Sequence, residues 1–284
     1  MGAGTAEAET AGTGTAHGAE PGLSVIMAVH RETPWLAQAI DSVLAQDDGD
    51  FEFLIAANAC TDALWATLQE FAARDARIRL FRTAIGQLAF NLNLLADQAQ
   101  GEYLVRMDAD DLCEPHRIRV LRQALRQERV DVLGSAVTLI DADGRPAGRM
   151  ELPHSQRDIR RALRSRTALC HPAVAVRRRF LLEMRGYLGG FSSEDTDLWL
   201  RAVRAGATMK NLPDALLRYR VHEKQSIAGR AGYAEVAGQW LRELLTAPDG
   251  YTLLGFGTAL AKSLFAPMLP GIRRYRRTRA EKHE

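Results

Sequence analysis

Short apolar runs of strand length alternate with helix-length amphipathic segments through the first half of the chain, and this alternation most constrains its fold. Residues 24–29 (SVIMAV) form the first run. Thr33 and Pro34 then supply an N-cap and an N1 proline for a helix with Leu36, Ile40, Val43 and Leu44 on one face. Residues 51–56 read as a second strand, and Thr61 caps a helix whose Leu64, Leu68, Phe71 and Ala72 fall at helical spacing. A third strand at 78–81 precedes a helical stretch over 88–99. The fourth, 102–107 (EYLVRM), ends in Asp108-Ala109-Asp110-Asp111, and Pro115 opens a helix carrying Ile118, Leu121 and Leu125. Such alternation predicts βαβ units: an α/β fold with a mostly parallel sheet and helices on both faces. Ligands of such sheets bind beyond the carboxyl ends of the strands, so the loops after strands one, two and four are the informative ones.

Beyond residue 130 the pattern is less regular. It predicts a strand over 131–141, a turn at Asp143-Gly144, a basic helix over 155–164 and a strand at 173–176. A helix over 194–205 stopped by Gly206 and a last strand at 215–220 follow. With 284 residues, 46% of them hydrophobic and 25% charged, wholesale disorder, a collagen-like repeat and a polytopic membrane protein are excluded. A net charge of +2 argues against a nucleic-acid binder, but it is unevenly spread. Residues 273–284 hold six basic and two acidic side chains, leaving the rest of the chain at −2. Cys60, Cys113 and Cys170 show no C-x-x-C spacing, so neither a zinc site nor a disulfide framework is indicated and a cytoplasmic location fits. Residues 1–22 lack the basic and apolar regions of a signal peptide and read as a disordered tail.

Residues 251–272 (YTLLGFGTALAKSLFAPMLPGI) are apolar, but Lys262, Pro267 and Pro270 leave pieces too short to span a bilayer. Read as a helix, the segment gathers Leu253, Phe256, Leu260, Leu264 and Met268 on one face, opposite Gly255, Thr258 and Lys262. Arg273-Arg274-Tyr275-Arg276-Arg277 follow. Two readings stay open: a peripheral anchor on the inner face of the cytoplasmic membrane, or a helix packed on the domain or at a homodimer interface.

Asp108, Asp110 and Asp111 at the end of a buried strand repel one another unless a cation or a run of donors offsets them. A hard divalent cation with oxygen ligands, bridging a diphosphate, is one solution; a solvated acidic turn before a helix is the other. Glu194 and Asp195 likewise read either as an acidic first helical turn or as site carboxylates.

The sequence around these positions resembles glycosyltransferase family 2, the inverting enzymes of GT-A fold. EYLVRMDADDLCEPHRI is similar to the family's x-D-A-D-D stretch. SVIMAVHRETPWLAQAIDSVLAQ resembles its opening strand and helix, FEFLIAANACTDAL its second strand and nucleotide loop, and GQLAFNLNLLADQAQGEYLV the segment leading into the metal motif. LCHPAVAVRRRFLLEMRGY resembles its His-Pro stretch, SSEDTDLWLRAVRAG its Glu-Asp helix and YRVHEKQS its closing strand and His loop.

The resemblance implies a GT-A catalytic domain at 23–228 and a helical extension with a basic end at 229–284. It implies a nucleoside diphosphate sugar donor, a UDP-sugar first among them, held by Val29, Asn58, Asp62, Asn93, Asp108 and Ala109. Mn2+ or Mg2+ would be ligated by Asp110 and Asp108, with His222 as a third ligand or a diphosphate contact, while Asp111 supports the loop. Asp195 corresponds to the general base, expected at low pKa because it starts a helix, and Glu194 to the group that orients it or binds the acceptor. His171 falls on the acceptor side. The implied reaction moves one sugar to a glycan or lipid-linked acceptor in surface polysaccharide or lipopolysaccharide assembly. The processive Q-x-x-R-W signature does not follow the closing motif. One departure stands out. Relatives carry an acidic pair after the second strand, where this chain has Ala57 and Asn58; Asn58 retains an acceptor oxygen for uracil N3–H but not a charge. That departure motivates an alternative, a catalytically silent nucleotide-sugar-binding or scaffold protein of the same fold.

Overall fold

The computed structural model describes residues 22–190, 192–222 and 230–265. The expected tail before Gly22 and the Arg-rich segment 273–284 lie outside them. Strands β1 (Leu23–Val29), β2 (Glu52–Asn58), β3 (Ile78–Thr83) and β4 (Tyr103–Met107) pair in parallel in the order β3-β2-β1-β4. Helices α1 (Leu36–Leu44), α2 (Asp62–Arg74) and α3 (Leu88–Gln98) make the crossovers. Successive strand residues serve opposite faces of the sheet. Val25, Met27, Phe53 and Ile55 pack with α1 and α2 through Ile40 and Leu64, whereas Ile26, Leu54 and Leu104 pack with α3 through Leu92 and Leu95. Both faces are covered, which is why the central strands β1 and β2 read as nearly unbroken apolar runs, while β3 at the sheet edge carries Arg79 and Arg82.

The second half comprises β5 (Leu112–Cys113), α4 (Arg117–Gln127), β6 (Val132–Ile140), β7 (Pro146–Met150), α5 (Gln156–Leu163), a 3-10 turn (His171–Ala173), β8 (Ala175–Arg177), α6 (Arg178–Glu183), α7 (Glu194–Arg204) and β9 (Met209–Arg220). It extends the sheet as β4-β8-β6-β9-β5, with β7 beside β6. Here the pairing is mixed: β8 runs antiparallel to β4 and β6, while β9 is parallel to β6 and antiparallel to β5. The parallel sheet thus meets its first antiparallel neighbour at β4, the strand that ends in the acidic motif.

Thr61 caps α2 as expected, its Oγ1 accepting from Leu64 N–H at 3.2 Å. Thr33 does not cap α1. The N-cap is Trp35, which has no side-chain cap bond, because a turn through Pro34 and Trp35 precedes the helix and the Trp35 indole donates to Ala142 O instead. β9 begins at Met209 rather than 215, since register shifts against Ser135, Ala136 and Val137 absorb Pro213 and Asp214. The 3-10 turn takes the start of the strand expected at 173–176.

Two helices complete the described chain, α8 (Arg230–Thr246) and α9 (Gly250–Phe265). Trp240 of α8 packs among Leu200, Ala237 and Ala259, with the Tyr251 ring 5.3 Å away. Buried Asp197 and Glu243 fasten α7 to α8: Arg242 donates to Asp197 at 2.6 Å and Arg204 to Glu243 at 2.8 Å. Among the described residues no helix is long and apolar enough to cross a membrane.

Candidate active site

The site is built where β4 leaves the sheet. Asp108, Asp110 and Asp111 each bring a carboxylate oxygen within 4.8 Å of the others. Such crowding needs positive charge, and β4 supplies it from beneath. Arg106 is only 3% exposed, lies two residues before Asp108 on the strand, and forms an ion pair with it. Burial opposes the Arg106 charge, but Asp108 more than offsets this and holds the guanidinium above its usual basicity.

The remaining walls come from far along the chain. Arg220, the last residue of β9, donates its backbone N–H to Asp111 Oδ1 at 2.8 Å and its Nε to Asp110 O at 2.8 Å. These bonds tie the acidic loop to β9. His222 follows two residues later with Nε2 3.0 Å from Asp110 Oδ2. Its imidazole stacks on Trp35 with ring centroids 4.5 Å apart, and the Arg220 guanidinium lies 5.2 Å from the same indole. Burial pushes Asp108 and Asp111 up from the usual carboxylate range, Asp111 well up because Asp108 and Asp110 add like charge. Carboxylate oxygens with one imidazole nitrogen beside them form a donor set that suits a hard divalent cation.

Glu194 and Asp195 open α7, and the Arg106 charge acts on both. Here the expectation for Asp195 is corrected. Starting a helix does not make it a strong acid: burial raises its pKa, outweighing the Thr196 N–H that donates to its Oδ1 at 2.7 Å. Glu194 is raised too, by burial and then by Asp195. Nearby, His171 Nε2 lies 3.0 Å from the Tyr187 hydroxyl, and burial keeps that imidazole well below its usual pKa.

The other expected donor contacts divide. Asn58 ends β2 buried, and its Oδ1 has no hydrogen-bond partner among the described residues. Val29 ends β1 buried, while Ala109 is half-buried within the acidic loop. Asp62 points to solvent, with a side chain 93% exposed and paired with Arg82 at 2.5 Å. Asn93 is occupied within the protein: its Oδ1 accepts from Tyr187 N–H at 2.8 Å and its Nδ2 donates to Tyr187 O at 2.9 Å. Arg106 and Trp35 were not singled out from sequence. For Arg106 the signal was present, an arginine inside the apolar run EYLVRM, because a buried charge requires a counter-charge. For Trp35 there was none, since its ring partners come from the other end of the sheet.

Known proteins resemble this chain in sequence and in fold. The family model described as glycosyl transferase family 2 matches residues 24–186. The Escherichia coli O-antigen biosynthesis glycosyltransferase WbnJ is 34% identical over 227 residues, spanning 78% of this chain and 89% of WbnJ. Among solved structures, S. aureus TarS in complex with UDP-GlcNAc superposes with a TM-score of 0.66 at 16% identity, covering 91% of this chain and 79% of the TarS chain. The mannosyltransferase PcManGT from Pyrobaculum calidifontis, in complex with GDP-Man and Mn2+, gives 0.61 at 18% identity over 94% of this chain and 80% of its own. Identities this low speak for the shared GT-A fold alone. With the family model covering more than half of the chain and a relative above 30% identity, an acidic β4 loop on this sheet has one classification: the chain belongs to glycosyltransferase family 2.

Proposed function

We propose that the protein is an inverting, metal-dependent, non-processive glycosyltransferase, moving one sugar from a nucleoside diphosphate sugar to a glycan or lipid-linked acceptor. The observation that carries this reading is the carboxylate cluster of Asp108, Asp110 and Asp111 at the carboxyl end of β4. Asp110, Asp108 and His222 would hold the cation, and a bound Mn2+ or Mg2+ would supply Lewis-acid stabilisation of the charge developing on the departing diphosphate.

Asp195 is the general base of this reading. It takes the proton of the acceptor hydroxyl while that oxygen bonds to the anomeric carbon and the bond from that carbon to the diphosphate oxygen breaks. One displacement inverts the anomeric centre and needs no carboxylate nucleophile. A desolvated Asp195 is a stronger base than a solvated one, so its raised pKa supports the assignment. Glu194 orients the base or the acceptor. The unpartnered Asn58 Oδ1 is an acceptor for the N3–H of a uracil base, which favours a UDP-sugar. The neighbours' UDP-GlcNAc and GDP-Man support a nucleotide-sugar donor in general, and the O-antigen relative supports a place in surface polysaccharide or lipopolysaccharide assembly. Residues 23–228 form the catalytic unit in this reading and 229–284 its extension; the free cysteines fit a cytoplasmic location.

The test is Asp195→Asn, assayed for sugar transfer into an acceptor extract and for donor binding with Mn2+. Transfer should disappear while binding persists. Wild-type protein that binds donor but transfers to no acceptor would instead select the silent binding protein, and donor binding indifferent to Mn2+ would refute the metal site.

A further inference from the structure

Helix α9 carries its apolar residues on the wrong side for a surface helix of a water-soluble unit. Leu253, Leu254, Leu260, Leu264 and Phe265 are between 39% and 60% exposed. With Gly257 and Ala261 they make up every exposed position from 251 to 265, so no polar side chain interrupts the outward face. At 100° per residue they fall in one arc of about 140°. The inward face is made of small residues instead: Thr252, Gly255 and Ala259 are buried. A Cβ on Gly255 would stand 2.2 Å from the Trp240 ring, so close packing selects glycine there and leaves the leucines no core to enter. Leu245 of the neighbouring helix α8 is 74% exposed as well.

Positive charge lies beside this helix rather than on its apolar face. At its start, Arg160 and Arg164 of the α5 segment lie 4.5 and 5.7 Å from the Tyr251 ring, with Arg160 also paired with Asp249 at 3.6 Å. Lys262, outside the apolar arc, donates to Ser165 O of the domain, and the sequence following α9 carries the net +4 of residues 273–284 while the rest of the chain is at −2. We propose that α9 is an interfacial helix that docks the protein on an anionic bilayer, its leucines and Phe265 entering the boundary between headgroups and acyl chains, with the net +4 of the sequence at 273–284 favouring anionic lipid. The 16 described residues of the helix are too few to span a bilayer but suit a position within its surface. Charge favours lipid over a second copy of the chain, since a second copy would bring the same net +4 of residues 273–284 while an anionic surface complements it. The inference stands apart from the donor chemistry and is tested without it.

The full-length chain is sedimented with vesicles of phosphatidylcholine alone and with vesicles that are roughly one-third phosphatidylglycerol. Binding should occur to the anionic vesicles and drop at least tenfold in a Leu260→Glu/Leu264→Glu variant whose far-UV circular dichroism is unchanged. Replacing Arg273, Arg274, Arg276 and Arg277 by Gln should weaken binding about fivefold per charge removed. Absence of vesicle binding, equal binding to neutral vesicles, or full binding by either variant overturns the proposal. A dimer in lipid-free buffer that Leu264→Glu dissociates also overturns it, by assigning the face to a second copy.

Discussion

Arg106→Met isolates what holds the acidic loop together. Methionine keeps the apolar stem of arginine and removes its charge, so the variant leaves Asp108 without its partner and Asp108, Asp110 and Asp111 facing one another within 4.8 Å. Removing one partner of a buried ion pair costs about 3–5 kcal/mol, in line with about 4 kcal/mol for unit charges 4 Å apart at an effective dielectric constant of 20. Arg106 is buried, but the Asp108 side chain is 34% exposed and solvent screens it, so the lower end applies, about 3 kcal/mol. At roughly 2–4 °C per kcal/mol for a domain of this size, Tm should fall about 6–12 °C in metal-free buffer. Manganese should then act in the opposite direction. A ligand at a hundred times its Kd adds about 2.7 kcal/mol of stability, and a site relieved of a neighbouring cation binds Mn2+ more tightly. Differential scanning fluorimetry with EDTA and with Mn2+ should therefore show a larger Mn2+ shift in Arg106→Met than in the wild type. A Tm unchanged without metal, or a smaller Mn2+ shift in the variant, would refute the idea that Arg106 stands in for part of a cation's charge.

Trp35→Ala removes the ring that stacks on His222 and underlies Arg220; Mn2+ affinity measured by calorimetry should weaken about tenfold, the lower end for groups that orient a metal ligand, with the circular dichroism spectrum retained. Asn93→Ala deletes both bonds to the Tyr187 backbone and should cost about 2 kcal/mol in urea denaturation, because a buried donor and acceptor lose their partners together. Gly186→Ala should destabilise by more than about 1 kcal/mol in the same assay, since Gly186 sits at φ +68° and a Cβ would stand 2.3 Å from Asn93 Oδ1.

The parallel half of the fold was legible because its signals are local. β1, β2 and β4 are mainly apolar runs, and the helices between the strands show their period and, at Thr61, a cap. The mixed half was less so because its strands exist through pairing. β7 (PAGRM) has almost no apolar pattern and is a strand because it lies antiparallel to β6 after the turn at Gly144, φ +84°. The site divides in the same way. Three carboxylates in four residues are visible in any reading of the chain. The bonds that anchor them cannot be seen there: Arg220 N–H on Asp111 and His222 on Asp110 depend on where β9 ends relative to β4. Asp195 shows the limit most clearly. Its position at the start of α7 predicts a low pKa, and only the depth of the surrounding protein reverses the sign.

That reversal has a consequence for folding as well as for catalysis. In the folded protein the Asp195 pKa lies above its unfolded value, so from about pH 4 upward the native state holds a proton that the unfolded state has lost. Stability attributable to this group is therefore fully present below the unfolded pKa and declines as pH rises towards the folded pKa, by at most about 1.4 kcal/mol per pH unit. Asp195→Asn removes the titration while keeping an oxygen for Thr196 N–H, and the shifts of every other group, His171 included, are to first order common to both proteins. In metal-free urea titrations the two should be nearly equal in stability at about pH 4, and the Asp195→Asn variant should gain on the wild type as the pH approaches neutrality. Activity must move the other way, since a general base acts only when deprotonated: transfer by the wild type should climb through the same window in which its stability declines relative to the variant. If the stability difference stays constant from about pH 4 to neutrality, within the roughly 0.5 kcal/mol of an ordinary surface substitution, Asp195 is solvated, and burial cannot be what makes it a base.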